Sequence, residues 1–335
     1  MKIDGTLSGL ADAAARARAL EDGGYDATWA AEFNQDPFLP LAVAAEVTAR
    51  VELGTSIAVA FARSPMTVAY TANDLQRHSG GRLLLGLGSQ VKAHVTRRFG
   101  MPWSRPAARM REFVLALRAI WSSWQCGDQL DFRGEYYSHT LMPASFVPPP
   151  HGFGPPRVLL AGVGDLMTRV AGEVADGFIC HGYTTPRWIR ERTVPALREG
   201  RARAGATMDG FEVAITPFIV TGTEQEIAAA VARLRRQLAF YASTPAYRAV
   251  FDLHGWGAAN EELTALSKAG RWRDMAAAIT DEMVAEFAIV ASPRDLPTRV
   301  AERFGGLVTR LSFTPPPSLP ADAAADLVAR LRACG

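Results

Sequence analysis

Residues 51–90 read VELGTSIAVAFARSPMTVAYTANDLQRHSGGRLLLGLGSQ, and this stretch decides the fold. Two apolar runs of strand character flank one segment of helix length, and each run ends in small or polar residues instead of a hairpin turn. This pattern is typical of a parallel β–α–β unit, which presents a ligand surface at the carboxyl ends of its strands. The first candidate site residues therefore lie at those two ends: Ser56, Ile57, Ala58, Gly88, Ser89 and Gln90.

The same alternation of strand and helix runs along most of the chain. The predicted strands cover 1–6, 27–31, 51–59, 82–86, 158–161, 177–180, 211–221 and 309–313. Predicted helices cover 11–21, 40–48, 66–78, 109–124, 165–175 and 224–238. Eight strands alternating with helices over this length favour an α/β fold of the (β/α)8 TIM-barrel type over an open doubly wound sheet. No GxGxxG motif follows the first strand, which counts against a dinucleotide-binding Rossmann domain.

Two segments interrupt the repeat. Residues 128–154 (DQLDFRGEYYSHTLMPASFVPPPHGFG) are rich in glycine, proline and aromatic residues, and 240–291 have mixed helical character. Long loops in a compact domain are usually functional or disordered, and the aromatic residues in these two favour order. We therefore expect one barrel domain over 1–335, with insertions at about 100–154, including a small hairpin, and at about 240–291.

Composition narrows the classes of function. The 36 basic and 34 acidic residues are interleaved and leave a net charge of +2, which predicts neither nucleic-acid nor membrane-surface binding. The opening MKIDGTLSGLADAAARARAL lacks the apolar core of a signal peptide, and no apolar run reaches the length of a membrane span. Cys126, Cys180 and Cys334 lie far apart, so we expect a cytoplasmic protein without a disulfide framework or zinc site.

Polar residues at strand ends are candidates for catalysis, because the carboxyl ends of barrel strands face the active site. The candidates are Asp4, Glu32, Gln90 and His181. Glu32 could act as a general acid or base, or could form a structural ion pair with Arg63. His181 could reach the site, or could be a core histidine with satisfied hydrogen bonds. Histidine spacing and carboxylate distribution predict no metal site, and no GxSxG or Cys/His signature indicates covalent catalysis.

The segment AGVGDLMTRVAGEVADG at 161–177 holds a second candidate site. A strand leads through Ala161 into Gly162, Val163 and Gly164, and a predicted helix begins at Asp165. Glycines allow a close backbone approach to a ligand, and a helix N-terminus favours an anion, so the turn could hold a phosphate. The alternative is an ordinary tight turn in which Asp165 is the N-cap.

Three segments carry a family resemblance: GGYDATWAAEFNQDPFLPLAVAAEVTARVELGTSIAVAFARSPMTVAYTANDLQRHSGGRLLLGLGSQ, PPRVLLAGVGDLMTRVAGEVADGFICHGYTTPRW and AIVASPRDLPTRVAERF. Together they resemble the bacterial luciferase-like monooxygenase family, and within it the oxidoreductases that use the deazaflavin coenzyme F420 (8-hydroxy-5-deazaflavin). The resemblance implies a (β/α)8 barrel with the cofactor ring at the carboxyl ends of the strands. It also implies a bulge at Ser56 and Ile57 behind the ring, often with a non-prolyl cis peptide.

The resemblance further implies where the cofactor phosphate lies. It places the phosphate on Gly162, Val163 and Gly164, with Ile179 and Cys180 beside it. One departure is visible: relatives often carry a histidine directly after the acidic residue of the second strand, and this chain has Phe33 there, followed by Asn34. No role for that histidine carries over, so the polar group that guides proton movement is left open.

The expected function is a cytoplasmic oxidoreductase that exchanges a hydride between F420 and a small organic substrate. One alternative is an FMN-dependent monooxygenase of the same family, supplied with electrons by a separate reductase. Another is a non-catalytic member that binds a flavin or ligand without turnover. The resemblance also implies a homodimer through the second and third helices, although Leu41, Val43 and Val47 could equally form the ordinary barrel-facing stripe.

Overall fold

A computed structural model describes residues 1–334 of the chain. Its strands are β1 (Lys2–Leu7), β2 (Ala27–Ala30), β3 (Glu52–Thr55), β4 (Ala58–Val59), β5 (Leu83–Gly88), β6 (Phe132–Arg133), β7 (Ser138–His139), β8 (Arg157–Gly162), β9 (Gly177–Cys180), β10 (Glu212–Ile215), β11 (Phe218–Val220), β12 (Ala288–Val290) and β13 (Arg310–Ser312).

The α-helices of the described chain alternate with these strands. They are α1 (Ala13–Asp22), α2 (Leu39–Val47), α3 (Pro65–His78), α4 (Pro106–Cys126), α5 (Asp165–Val174), α6 (Pro186–Trp188), α7 (Val194–Arg203), α8 (Glu224–Ala242), α9 (Arg248–Leu253), α10 (Gly257–Lys268), α11 (Asp281–Phe287), α12 (Leu296–Phe304) and α13 (Ala321–Cys334).

The main sheet follows the strand order β3-β2-β1-β13-β10-β9-β8-β5-β4, and β3 also pairs with β5. Strands β3 and β4 are two halves of one interrupted strand, so the sheet has eight strand positions. Neighbouring positions follow the order of the chain, and the pairing of β3 with β5 closes the sheet into a barrel. The (β/α)8 fold predicted from the sequence is therefore confirmed.

The contacts of the chain divide it into two compact units. The larger holds Asp4–Ile179 and Ala196–Glu212, and the smaller holds Met1–Ile3, Cys180–Pro195 and the chain from Val213. In the larger unit every residue of β5, LLLGLG, is buried, as expected of a parallel strand covered on both faces. Gly86 of that strand is required for packing, because a Cβ there would lie 1.8 Å from the carbonyl oxygen of Thr55.

The smaller unit has a core of its own, built mainly from the second insertion. Tyr183, Leu238, Phe251 and Phe287 are all buried in it. Helix α8 begins with a capping box, in which Thr223 and Glu226 each bond the other's backbone N–H and so satisfy two otherwise unpaired donors.

Two predicted strands are divided in the structure. The third strand, predicted over 51–59 with a bulge that the family resemblance implied at Ser56 and Ile57, stops at Thr55 and resumes at Ala58. The seventh, expected over 211–221, is two strands, β10 and β11, because Pro217 between them lacks the N–H that a continuous ladder needs. Strand β11 pairs in parallel with β12, which lies at the end of the second insertion and was not predicted.

The two segments predicted as insertions contain short elements of their own. The first contains the expected small hairpin, with Phe132 opposite His139 in an antiparallel pair. The second is mainly helical over α9, α10 and α11. Among the described helices, none combines the length and the apolar character required to cross a membrane.

Candidate active site at the strand ends

The segment between β3 and β4 carries the predicted irregularity. The Ser56–Ile57 peptide bond is cis and non-prolyl, as the family resemblance implied. Its backbone is tied to the end of β2, since Ser56 N–H donates to Ala30 O at 2.8 Å and Glu32 N–H donates to Ile57 O at 3.3 Å. Both residues of the segment are half-buried, so part of their surface is open to a ligand.

Glu32 forms the ion pair that was left open as the alternative to a catalytic role. Its Oε2 accepts from Arg63 Nη1 and from the Val59 backbone N–H, both at 2.7 Å, and its side chain is only 7% exposed. Arg63 also reaches Asp36 at 3.2 Å. The carboxylate therefore joins β4 to the end of β2 and braces the Ser56–Ile57 segment, while its role as an acid or base stays a prediction.

Two of the candidate residues have no exposed surface. Asp4 is 0% exposed and its carboxylate accepts from Trp29 Nε1 at 2.9 Å. Ala58 is also 0% exposed. A group that touches substrate or cofactor needs accessible surface, so the structure corrects both predictions: Asp4 takes part in interior hydrogen bonding, and Ala58 belongs to the packing behind the site.

The carboxyl end of β5 lies against the irregular segment. Gly88 is opposite Val59 in the sheet register, and a Cβ on Gly88 would come within 2.9 Å of the Ile57 side chain. Gln90 follows in a left-handed conformation with φ of 60°, rare for a residue other than glycine, and its Oε1 accepts from the Val91 N–H at 2.9 Å. The structure thus brings Gly88 to Ile57, as expected for adjoining strand ends.

The glycine turn before α5 is open to an anion. Gly164 is the N-cap, α5 begins at Asp165, and no side chain caps the first turn. The alternative in which Asp165 is the N-cap is therefore wrong. Val163 and Gly164 are exposed, whereas Ala161 and Gly162 are half-buried, and a Cβ on Gly164 would meet no heavy atom within 4 Å. The first N–H groups of a helix have no partner within it, so this end offers donors to a phosphate.

The end of β9 supplies two further predicted residues. Ile179, in the larger unit, is 8% exposed, and its Cδ1 would lie 2.9 Å from a Cβ on Gly86, so it packs against β5. Cys180, which begins a segment of the smaller unit, is 5% exposed, and burial raises the pKa of its thiol to about 12. A thiol with so high a pKa is not a thiolate nucleophile at neutral pH.

His181 belongs to a cluster of aromatic side chains within the smaller unit. Its Nδ1 accepts from the Tyr183 backbone N–H at 3.0 Å, and its Nε2 lies 3.2 Å from Tyr247 Oη. Its ring is 4.8 Å from that of Tyr247 and 5.2 Å from that of Tyr241. Burial lowers the pKa of His181 to about 4, so the ring is neutral at neutral pH. Sequence reasoning missed Tyr241 and Tyr247, because both lie in an insertion far along the chain from His181.

Comparison with known proteins identifies the family. Residues 2–310 match the model of the luciferase-like monooxygenase family. An uncharacterized protein of Mycobacterium tuberculosis is 50% identical over 313 residues, covering 93% of this chain and 92% of that protein. A putative coenzyme F420-dependent oxidoreductase of the same organism is 31% identical over 292 residues, covering 81% of each.

The fold has a counterpart among solved structures. The coenzyme F420-dependent tetrahydromethanopterin reductase of Methanopyrus kandleri superposes with a TM-score of 0.76 at 20% identity, over 98% of this chain and 96% of that one. At this identity the likeness concerns the fold alone. Together with the match to the family model, these relatives show that the chain is an enzyme of the luciferase-like monooxygenase family.

Proposed function

We propose that the chain is an oxidoreductase that exchanges a hydride between coenzyme F420 and a small organic substrate. The observation that carries the proposal is the open, uncapped glycine turn before α5. This turn lies in a chain that shares 31% identity with a putative F420-dependent oxidoreductase over most of both lengths. When bound, the deazaflavin would supply or take up the hydride, and the protein positions and shields it.

The glycine turn fits the phosphate of such a cofactor. Gly164 leaves the space above the helix N-terminus empty, and the backbone N–H groups of the first turn lie there without a side-chain cap. The helix dipole adds a partial positive charge at the same end. Gly162, Val163 and Gly164 would therefore hold the phosphate through backbone contacts.

The segment of Ser56 and Ile57 fits a flat ring. It offers half-buried backbone beside Gly88, which has no side chain to stand between a ring and the strand. Glu32 and Arg63 hold this segment in place from behind, through the contacts to Val59 and to each other. A rigid wall of this kind would fix the face of the ring that meets the substrate.

Phe33 occupies the position where the family resemblance implies a histidine, and it is 75% exposed. Its carbonyl oxygen accepts from the Arg98 guanidinium, which ties the loop after β2 to the segment after β5. A phenyl ring can neither donate nor accept a proton. The proton that accompanies hydride transfer must therefore move through another group.

The FMN-dependent monooxygenase with a separate reductase remains the second candidate. It is favoured by the name of the matching family, and the glycine turn would suit the FMN phosphate as well. The non-catalytic alternative loses its support, because the relatives are enzymes.

A binding titration separates the two cofactors. The purified protein is titrated with F420 and with FMN, each followed by the change in ligand fluorescence. We expect F420 to bind at least about tenfold more tightly, a difference of roughly 1.4 kcal/mol in binding free energy. Tight binding of FMN with no binding of F420 would refute the proposal and favour the monooxygenase.

The proposal includes a cytoplasmic homodimer formed through α2 and α3. Leu41 of α2 is fully buried within the chain itself, whereas Leu39 is 55% exposed, and Val43 and Val47 are half-buried. The outer side of α2 thus keeps apolar surface that a second copy could cover. A light-scattering mass of twice the 36.1 kDa chain is expected, and a monomer mass would contradict it.

A further inference from the structure

We propose that Arg109, near the N-terminus of α4, forms a binding site for an oxyanion, the carboxylate or phosphate group of a small organic molecule. The site lies wholly within the larger unit and is separate from the glycine turn before α5. The inference goes beyond the proposed function, and it does not depend on which cofactor the protein binds.

Arg109 carries a nearly buried charge that no acidic side chain balances. The residue is only 7% exposed, and an arginine stays protonated in proteins. Within the described chain, α4 forms ion pairs through Arg111 and Arg118 but not through Arg109. Buried charges in folded proteins are as a rule paired or bound to an ion. The site therefore lacks a negative partner.

The acidic residue nearest to Arg109 along the helix is engaged elsewhere. Glu112 lies almost one turn further along α4, and its carboxylate accepts from the backbone N–H groups of Glu135, Tyr136 and Tyr137, at 2.9, 2.7 and 2.5 Å. These contacts fasten the first insertion to α4. They leave Arg109 without the ion pair that its own helix could have supplied.

The guanidinium group has donors to spare. Its Nε donates to Tyr137 Oη at 2.7 Å, and its Nη1 donates to the Pro102 carbonyl oxygen at 2.8 Å. Nη2 forms no hydrogen bond to a described residue, and it is not enclosed, so it belongs to the small accessible part of Arg109. An arginine fixed in this way, with open N–H donors, suits the oxygen atoms of a carboxylate or phosphate.

Aromatic packing explains the position of the guanidinium but not its open donors. Its central carbon lies 4.3 Å from the ring centre of Phe61 and 5.5 Å from that of Tyr137. Phe61 in turn meets Trp103 edge-on, with ring centres 6.2 Å apart. Cation–π contacts stabilise the charge through the faces of the rings. They do not fill the N–H donors, which lie in the plane of the guanidinium.

The segment before α4 contains further unsatisfied groups. Helix α4 has 21 residues, begins at Pro106, and has no side-chain cap on its first turn. The bond from Arg109 to Pro102, which precedes the helix, directs the guanidinium toward this end, where the helix dipole is positive. Ser104 Oγ, in the same segment, is enclosed and has no hydrogen-bond partner, whereas buried hydroxyl groups normally have one.

The local charge agrees with an anionic ligand. Residues 91–111 contain six basic residues and no acidic one, in a chain whose charges are otherwise interleaved. Of these six, only Arg111 pairs with a described carboxylate, that of Glu173. The positive charges of the segment therefore raise the local concentration of anions. The basic residues are Lys92, Arg97, Arg98, Arg105, Arg109 and Arg111.

The cluster is also built from segments that bear ligand sites in this fold. Phe61 lies in the short helical turn directly after β4, and Trp103 lies between β5 and α4. Both segments follow the carboxyl ends of barrel strands, which is the side where (β/α)8 enzymes bind their ligands.

The first test uses the wild-type protein without cofactor. The NMR signal of the Arg109 Nε–H group is followed at constant ionic strength, and Arg109→Lys identifies it by its absence. Inorganic phosphate and acetate should each shift this signal along a saturable curve. A signal that does not move, or that moves equally with sodium chloride, would overturn the inference.

The second test uses variants and reads the indole N–H signal of Trp103, which reports from the same cluster. Arg109→Gln should raise the phosphate concentration at half-saturation by roughly tenfold or more, because it removes the charged donor. Arg118→Gln is the matched control, since it removes a charge from the same helix at a residue that pairs with Asp176. An unchanged half-saturation in Arg109→Gln, or an equal loss in both variants, would contradict the site.

The third test separates an organic ligand from a free anion. Benzoate is compared with acetate, and phenyl phosphate with inorganic phosphate, on the wild-type Arg109 signal. Trp103 and Tyr137 are half-buried and offer apolar surface beside the guanidinium, so we expect the aromatic member of each pair to bind more tightly. Equal affinities within both pairs would overturn the assignment to an organic molecule.

Discussion

Glu32 shows what a single residue's position in the sequence can and cannot predict. Its place at the end of the second strand predicted a side chain at the rim, and left an acid–base role and an ion pair equally open. The structure gives it two contacts of 2.7 Å, to Arg63 and to the Val59 N–H. Which role applies depends on the conformation of residues 56–63, and side-chain spacing along one strand does not contain that information.

Replacing Glu32 tests its bracing role. Glu32→Gln removes the charge that pairs with Arg63 in a nearly buried site, and should lower the free energy of unfolding by about 1–3 kcal/mol. Urea denaturation measures the change. Glu302→Gln is the control, because Glu302 is 55% exposed where it pairs with Arg299, and it should change stability by less than about 0.5 kcal/mol. Equal effects of the two substitutions would contradict the bracing role.

His181 predicts a pH dependence of stability. Burial lowers its pKa from 6.5 to about 4 in the native protein. At pH values between these two pKa values, His181 is protonated in the unfolded chain and neutral in the native chain. The free energy of unfolding therefore falls as the pH drops through this window. The full loss is about 3 kcal/mol.

Urea denaturation at about pH 7 and about pH 4.5 measures this loss within the window. His181→Gln, which does not titrate, should show a smaller decrease over the same range than the wild type. An identical decrease in both proteins would show that His181 does not titrate as described.

At the scale of elements, most strands and helices could be predicted, and the misses have local causes. A proline at 217 ends the β10 ladder, although the apolar run continues past it. The third strand is interrupted at Ser56 and Ile57, where no turn residue occurs, so this interruption was expected from the family resemblance and not from the residue pattern. Strand β12 was missed because its partner β11 lies outside the barrel repeat, so the alternation that identifies the other strands does not reach it.

The N-terminus of α5 yields a test that separates binding from folding. A Cβ on Gly164 meets no atom, so Gly164→Ala should change the free energy of unfolding by less than about 0.5 kcal/mol. The methyl group would occupy space that the structure leaves open beside this helix N-terminus, and F420 affinity should fall by roughly tenfold or more.

The measurement is the same fluorescence titration, paired with urea denaturation. Gly152→Ala is the matched control, since a Cβ on that exposed glycine also meets nothing within 4 Å and it lies outside the turn. Unchanged affinity in Gly164→Ala would contradict a phosphate site at this turn.

At the scale of the whole molecule, the fold and the family followed from the order of motifs along the chain, because that order reflects the repeat itself. The cluster around His181 did not follow. Tyr241 and Tyr247 meet His181 only because the second insertion folds back on the segment after β9. Contacts between residues so far apart in sequence depend on tertiary packing, which a periodic pattern does not specify.

The central claim is that a deazaflavin binds at the strand ends, with its ring on Ser56–Ile57 and its phosphate at the N-terminus of α5. A crystal structure of the protein with F420 tests this most directly. We predict ring density against Ser56, Ile57 and Gly88, and phosphate density within hydrogen-bonding distance of the backbone of Gly162–Gly164. A ring bound elsewhere, or a phosphate held away from α5, would contradict the account.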